Sequence, residues 1–67
     1  MNNSIATRLR SIRQERGLST YQLAELTGIR QPNIVRAERG EGLSLTTLTR
    51  LAEALGYEVG LVAKTEN

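Results

Sequence analysis

Residues 19–40, S-T-Y-Q-L-A-E-L-T-G-I-R-Q-P-N-I-V-R-A-E-R-G, decide the fold of this chain. Ser19 and the glutamine three residues after it form a capping box, which marks the start of a helix. Gly28 permits the positive φ that ends this helix and turns the chain sharply. Pro32 lies in the first turn of the next helix, where its missing N–H costs nothing. The stretch predicts two short helices, at about residues 20–27 and 31–39.

The second of these helices has an inner side and an outer side. The 3.6-residue helical period places Ile34, Ala37 and Glu38 together on the side that faces a core. The opposite side carries Pro32, Val35, Arg36 and Arg39. Two short helices at a sharp turn, the second with an outer face left bare, are the layout of a helix-turn-helix. That motif offers its second helix to a DNA major groove.

The sequence resembles the lambda-repressor-like (Xre-type) family of helix-turn-helix regulators from residue 9 to about residue 56. The features that carry the resemblance, in their mutual spacing, are Leu23-Ala24, Gly28, Ile34 and Glu38-Arg39-Gly40. The resemblance implies an all-α domain of four helices that binds double-stranded DNA. It also implies a partly buried ion pair between Arg13 and Glu38, which ties the first helix to the third.

The rest of the chain completes this arrangement. Ser4 can cap a first helix at about residues 4–16. Ser44 can cap a fourth helix at about residues 45–55, in which leucines recur at helical spacing. We interpret residues 1–67 as a single helix-turn-helix domain.

The segment 57–64 departs from the commonest pattern of the family, which continues into a fifth helix. Apolar residues alternate with others here, as in a β-strand. A single strand has no partner within the chain, so we expect antiparallel pairing with a second copy in a homodimer. The expected dimer contacts are Tyr57, Val59, Leu61 and Val62. The alternative is an irregular tail that lies on the fourth helix.

The composition narrows the classes of function. The 67 residues include no His, Cys or Asp, which removes disulfides, thiolate nucleophiles, imidazole bases and the usual zinc sites. The seven Glu are scattered, and none are spaced as a catalytic acid and base would be. We therefore predict no enzyme activity, no metal and no cofactor. No apolar run approaches the roughly 20 residues of a membrane span and no signal peptide is recognised, so a cytoplasmic protein is expected.

The charges are unevenly distributed along the chain. Residues 1–40 contain seven Arg against three Glu, whereas residues 41–67 contain one Arg and one Lys against four Glu. Arginine binds phosphate bidentately and bonds guanine edges. The asymmetry favours an anionic partner on the N-terminal side.

The predicted DNA-binding surface is the start and outer face of the second helix of the motif. Gln31 and Asn33 carry amides that can bond adenine, and Arg36 can bond guanine. The resemblance places Pro32 at the groove as well, where its side chain can only touch a thymine methyl. Phosphate contacts are expected from Thr20, Gln22, Arg30 and Arg39.

These features predict a sequence-specific transcriptional regulator, a repressor that binds a palindromic operator as a dimer. The alternative is an antitoxin that binds a toxin protein as well as DNA and autoregulates its own promoter. Strand-paired dimers resemble the antitoxin branch of the family, and the short acidic C-terminal half would serve the toxin. The sequence does not distinguish the two functions.

Overall fold

The computed structural model describes residues 5–64, which form four α-helices and no β-strand. The helices are α1 (Ile5–Glu15), α2 (Thr20–Thr27), α3 (Gln31–Glu38) and α4 (Leu45–Ala54). The prediction of an all-α framework of four helices is therefore confirmed, and the bounds of α2, α3 and α4 lie within one residue of the predicted ones. Ser4, the predicted cap of α1, lies outside the described residues.

Side-chain and backbone chemistry sets where α2 begins and ends. The Ser19 hydroxyl accepts from the Gln22 N–H at 3.0 Å, and the Gln22 side-chain oxygen accepts from the Ser19 N–H at 2.8 Å. The predicted capping box is therefore formed. Gly28 ends the helix at φ 77°, and its N–H donates to the Ala24 carbonyl oxygen at 2.8 Å. A residue with a Cβ would be strained at this φ.

The core is built from aliphatic side chains of all four helices. Its buried members are Leu9, Ile12, Leu23, Ile34, Ala37, Leu51 and Leu55. Burying a leucine or isoleucine side chain contributes roughly 1.5–3 kcal/mol. In this core α2 packs against α3 and α4, and α1 packs against α3. Two other helices therefore support α3 from behind.

One charged pair lies within this apolar framework. Arg13 of α1 is only 8% exposed. Its Nε donates to Glu38 Oε2 at 2.6 Å, and its Nη2 donates to Glu38 Oε1 at 3.0 Å. Its Nη1 donates to the Leu18 carbonyl oxygen at 2.7 Å. Arg13 therefore joins α1 both to the end of α3 and to the connection that leads into α2.

The segment after α4 continues as irregular chain. The Tyr57 N–H donates to the Ala52 carbonyl oxygen at 2.8 Å, which closes the end of α4. Residues 57–64 then belong to no regular element. The strand predicted there is absent from the single chain because residues 5–64 offer no second strand to pair with it. Its pairing with a second copy remains a prediction.

We expect removal of one partner of the buried ion pair to damage the fold more than removal of both. Glu38→Leu leaves Arg13 buried without a counter-charge, which costs about 3–5 kcal/mol. Adding Arg13→Met removes that charge and should recover part of the loss, although the Leu18 carbonyl then loses its donor. Urea unfolding followed by circular dichroism measures both variants. A double variant less stable than Glu38→Leu alone would contradict this reading of the pair.

Candidate nucleic-acid interface

The helix α3 presents an outer face that the core does not use. Its inner side is held by Ile34 and Ala37, which are buried, and by the Glu38 ion pair. The residues on or beside α3 that were predicted to contact DNA and are exposed are Arg30, Pro32, Asn33, Arg36 and Arg39. The structure therefore leaves five of the eight predicted contacts exposed on or beside a helix whose inner side is held by the core.

Two residues predicted to contact DNA bond to each other. Gln31 Nε2 donates to Thr20 Oγ1 at 2.9 Å, which joins the first turn of α3 to the first turn of α2. A side-chain amide has a second N–H and a carbonyl oxygen. The bond to Thr20 is therefore compatible with a bidentate contact from Gln31 to adenine, and it restricts the direction in which Gln31 points.

Gln22 and Arg30, two of the residues predicted to contact phosphates, lie at the starts of α2 and α3. Gln22 is exposed in the first turn of α2, but its side-chain oxygen accepts the Ser19 N–H and so serves the helix cap. Its –NH₂ group, which the cap does not use, is the donor that would face a phosphate. Arg30 holds the N-cap position of α3 without a side-chain cap bond, and its side chain is exposed.

An open cleft runs along each side of α3. The first, here called the α1 cleft, has a volume of about 280 Å³ and is lined by Arg10, Arg13, Thr20, Val35, Glu38 and Arg39. The second, here called the α4 cleft, has a volume of about 260 Å³ and is lined by Ile29, Asn33, Arg36, Glu41, Gly42 and Thr47. Of the contacts predicted on α3 and at its end, Arg39 lines the α1 cleft, and Asn33 and Arg36 line the α4 cleft.

The α4 cleft holds a loose ion pair. Arg36 Nε lies 4.0 Å from Glu41 Oε1, and both side chains are more than half exposed. Exposed pairs at this distance contribute little to stability. Glu41 is nevertheless fixed beside Arg36, because its N–H donates to the Arg36 carbonyl oxygen at 2.9 Å. Arg36 is therefore free to exchange this partner for another acceptor at low cost.

The residues predicted to form a dimer lie on a different surface. Tyr57 and Val59 border a groove of about 170 Å³ between α1 and α4, and the Arg16 guanidinium lies 5.7 Å from the centre of the Tyr57 ring. Leu61 and Val62 are almost fully exposed, at 103% and 92%. The described chain thus leaves an apolar strip uncovered after α4.

Sequence reasoning missed two charged residues of this interface. Neither Arg10 nor Glu41 was among the predicted contacts, yet each lines a cleft beside α3. The signal for Arg10 is its position one turn before Arg13 on the same helix. Within residues 5–64, no group of three or more acidic, His or Cys side chains could hold a metal ion. No helix in that range is long and apolar enough to span a membrane.

Two short helices joined at a positive-φ glycine, the second with a buried inner side and a polar outer side, define a helix-turn-helix domain. The chain belongs to the Helix-turn-helix family HTH_3, which matches residues 9–62.

Two relatives carry names from the same class. A Haemophilus influenzae protein named an uncharacterized HTH-type transcriptional regulator is 41% identical over 51 residues, which are 75% of this chain and 52% of that protein. A Pyrococcus furiosus protein named as an HTH-type transcriptional regulatory protein is 43% identical over 47 residues, which are 69% of this chain and 15% of that protein. The chain thus spans about half of one relative and a small part of the other. No solved structure matches it significantly.

We expect the bond between Thr20 and Gln31 to be measurable as a coupling energy. Thr20→Val keeps the side-chain shape and removes the acceptor, and Gln31→Ala removes the donor. The double variant should lose less free energy of unfolding than the two single variants together, by about 0.5–1.5 kcal/mol. A double-mutant cycle by urea unfolding measures this difference. In the control cycle, Thr20→Val is combined with Asn33→Ala; no described hydrogen bond joins these two residues, so their effects should add. Equal coupling energies in both cycles would contradict the hydrogen bond between Thr20 and Gln31.

Proposed function

We propose that this chain is the DNA-binding domain of a transcriptional regulator and that α3 enters the major groove. The observation that carries the proposal is the outer face of α3, where Asn33 and Arg36 are exposed on a helix whose inner side is fully engaged with α1 and α2. A major groove admits one α-helix and displays donors and acceptors at base edges. The family membership of the chain supports the same conclusion.

Each contact of the proposed interface has a separate role. Arg36 would bond the O6 and N7 atoms of guanine, and Asn33 and Gln31 would bond adenine. Pro32 has no side-chain donor or acceptor, so it would contribute apolar contact to a thymine methyl. The residues proposed to position the domain by binding phosphates are Thr20, Gln22, Arg30 and Arg39.

Selection of bound sequences from a random duplex library tests the proposal as a whole. A regulator of this kind enriches one motif, and a dimer enriches a palindrome whose half-sites lie about one helical turn apart. Failure to enrich any sequence, together with absent binding at low salt, would contradict the proposed function.

We expect Arg36→Ala to relax sequence preference at one base pair of each half-site. The lost bidentate contact should cost about 1–3 kcal/mol of discrimination there. Arg39→Ala is the matched control, since it removes the same charge from a residue proposed to bind phosphate. It should weaken binding to all sequences alike. Repeating the library selection with both variants measures the difference. An unchanged motif for Arg36→Ala would show that Arg36 does not read a base.

A homodimer is the proposed assembly, formed by antiparallel pairing of the segment 57–64. Two observations support it. Leu61 and Val62 are apolar and almost fully exposed. Within the described chain, the backbone groups of residues 58–64 bond to no other backbone group. A second copy would satisfy these groups and cover both side chains, and a two-fold axis would set the two α3 helices about 34 Å apart. Such a dimer that occupies a promoter would act as a repressor.

We expect Leu61→Pro to yield monomers that bind a half-site weakly. Proline removes one N–H from the proposed ladder, and within residues 5–64 no backbone bond depends on that N–H. Leu26→Glu is the control, because it removes another exposed leucine from α2 and should leave the dimer intact. Sedimentation equilibrium measures the mass of each variant. A Leu61→Pro protein that remains dimeric would refute pairing through this segment.

The second candidate function is an antitoxin. The same exposed Leu61 and Val62 favour it, because an uncovered apolar strip can take a different protein as readily as a second copy. Purification from the native host followed by sizing separates the two functions. A second protein in stoichiometric amount would support the antitoxin, and a homodimer alone would support an autonomous repressor.

A further inference from the structure

The two clefts beside α3 differ in charge. The lining of the α1 cleft has a formal charge of +2, from three arginines and one glutamate. Glu38 accepts from Arg13 at both carboxylate oxygens, so it is already neutralised and does not oppose Arg10 or Arg39. The lining of the α4 cleft has no net charge, because Arg36 faces Glu41. The α1 side of α3 is therefore the more attractive side for an anion.

The geometry of the major groove places phosphates beside the two clefts, so their difference in charge bears on DNA binding. The groove is about 12 Å wide, and a helix with its side chains is about 10–12 Å across. A helix that lies in the groove is therefore flanked by a row of phosphates on each side. The α1 cleft opens along one flank of α3 and includes Thr20 at the start of α2. A phosphate on that flank would meet the mouth of the cleft.

We propose that the α1 cleft binds one DNA backbone phosphate between Arg10 of α1 and Arg39 at the end of α3. This rests on the proposed function and adds a residue outside the two helices of the motif. Both arginines are exposed and line the same cleft from different helices. A guanidinium binds phosphate oxygens bidentately, and the Thr20 hydroxyl adds a third donor. Arg10 is the new member of the interface.

Arg10 is also connected to α3 through the residues beside it on α1. It lies one turn before Arg13 on α1, and Arg13 holds Glu38 of α3 through two hydrogen bonds. A phosphate held by Arg10 is therefore coupled to the position of α3 through a short and rigid path. Since phosphate contacts set the register of a protein on the duplex, Arg10 is a positioning residue that sets how α3 sits in the groove.

The test compares Arg10→Gln with Arg8→Gln. The two changes remove the same charge from the same helix, but Arg8 lines the groove beside Val59 on another surface. Binding is measured over a range of salt concentrations, on a duplex with one selected half-site and on a duplex of unrelated sequence. A single half-site keeps dimer assembly out of the comparison.

Arg10→Gln should raise Kd on the order of tenfold on both duplexes, since it loses a charged hydrogen bond. It should also lower the slope of log K against log salt by about 0.9, the value for one lost phosphate contact. Arg8→Gln should change neither quantity comparably. Arg10→Lys keeps a point charge and should retain most of the slope. Thermal unfolding checks that each variant is folded.

Equal losses of affinity and of salt-dependence slope for Arg10→Gln and Arg8→Gln would contradict the proposed phosphate site. So would a loss for Arg10→Gln confined to the selected half-site, because phosphate contacts do not depend on base sequence. Failure of the unmodified protein to bind either duplex would instead remove the proposed function itself. The two failures are therefore distinguishable.

Discussion

The three bonds of Arg13 hold the arrangement on which the interface depends. Apolar contacts between α1 and α3 alone would tolerate small sliding movements, since they have little directional preference. Two parallel N–H···O bonds to Glu38 fix the plane of the guanidinium against the plane of the carboxylate. The third bond, to the Leu18 carbonyl, ties down the entry to α2. Desolvation offsets much of the Coulomb energy of such a pair, so its contribution is to geometry more than to net stability.

Structural and binding tasks are separated on α3. Ile34 and Ala37 point inward and are buried, whereas Asn33 and Arg36 are exposed and make no contribution to the core. The eight residues of α3 are too few for a helix that is stable in isolation. The helix exists because α1 and α2 bury its inner side, and this leaves its outer side available to another molecule.

Local chemistry explains which parts of the fold could be predicted from the sequence. The bounds of α2 follow from the Ser19 cap and the glycine at residue 28, both of which act within a few residues. The bond between Thr20 and Gln31 joins residues 11 positions apart, and the position of Arg10 in the lining of the α1 cleft depends on how α1 packs against α3. Neither feature can be predicted from the sequence alone, because both depend on how the helices pack against one another. The proposed pairing of segment 57–64 needs a second molecule, which a single chain does not include.

The link between Thr20 and Gln31 also constrains how this domain can diverge. Pro32, Asn33 and Arg36 are exposed, so under the proposed mode of binding a substitution at one of them would alter the preferred DNA sequence with little effect on the fold. Gln31 differs, because its direction is set by a hydroxyl on another helix. A new side chain at position 31 calls for a matching change at position 20. Relatives that have switched target sequence are therefore expected to show independent variation at the three exposed positions and correlated variation, a case of epistasis, at residues 20 and 31.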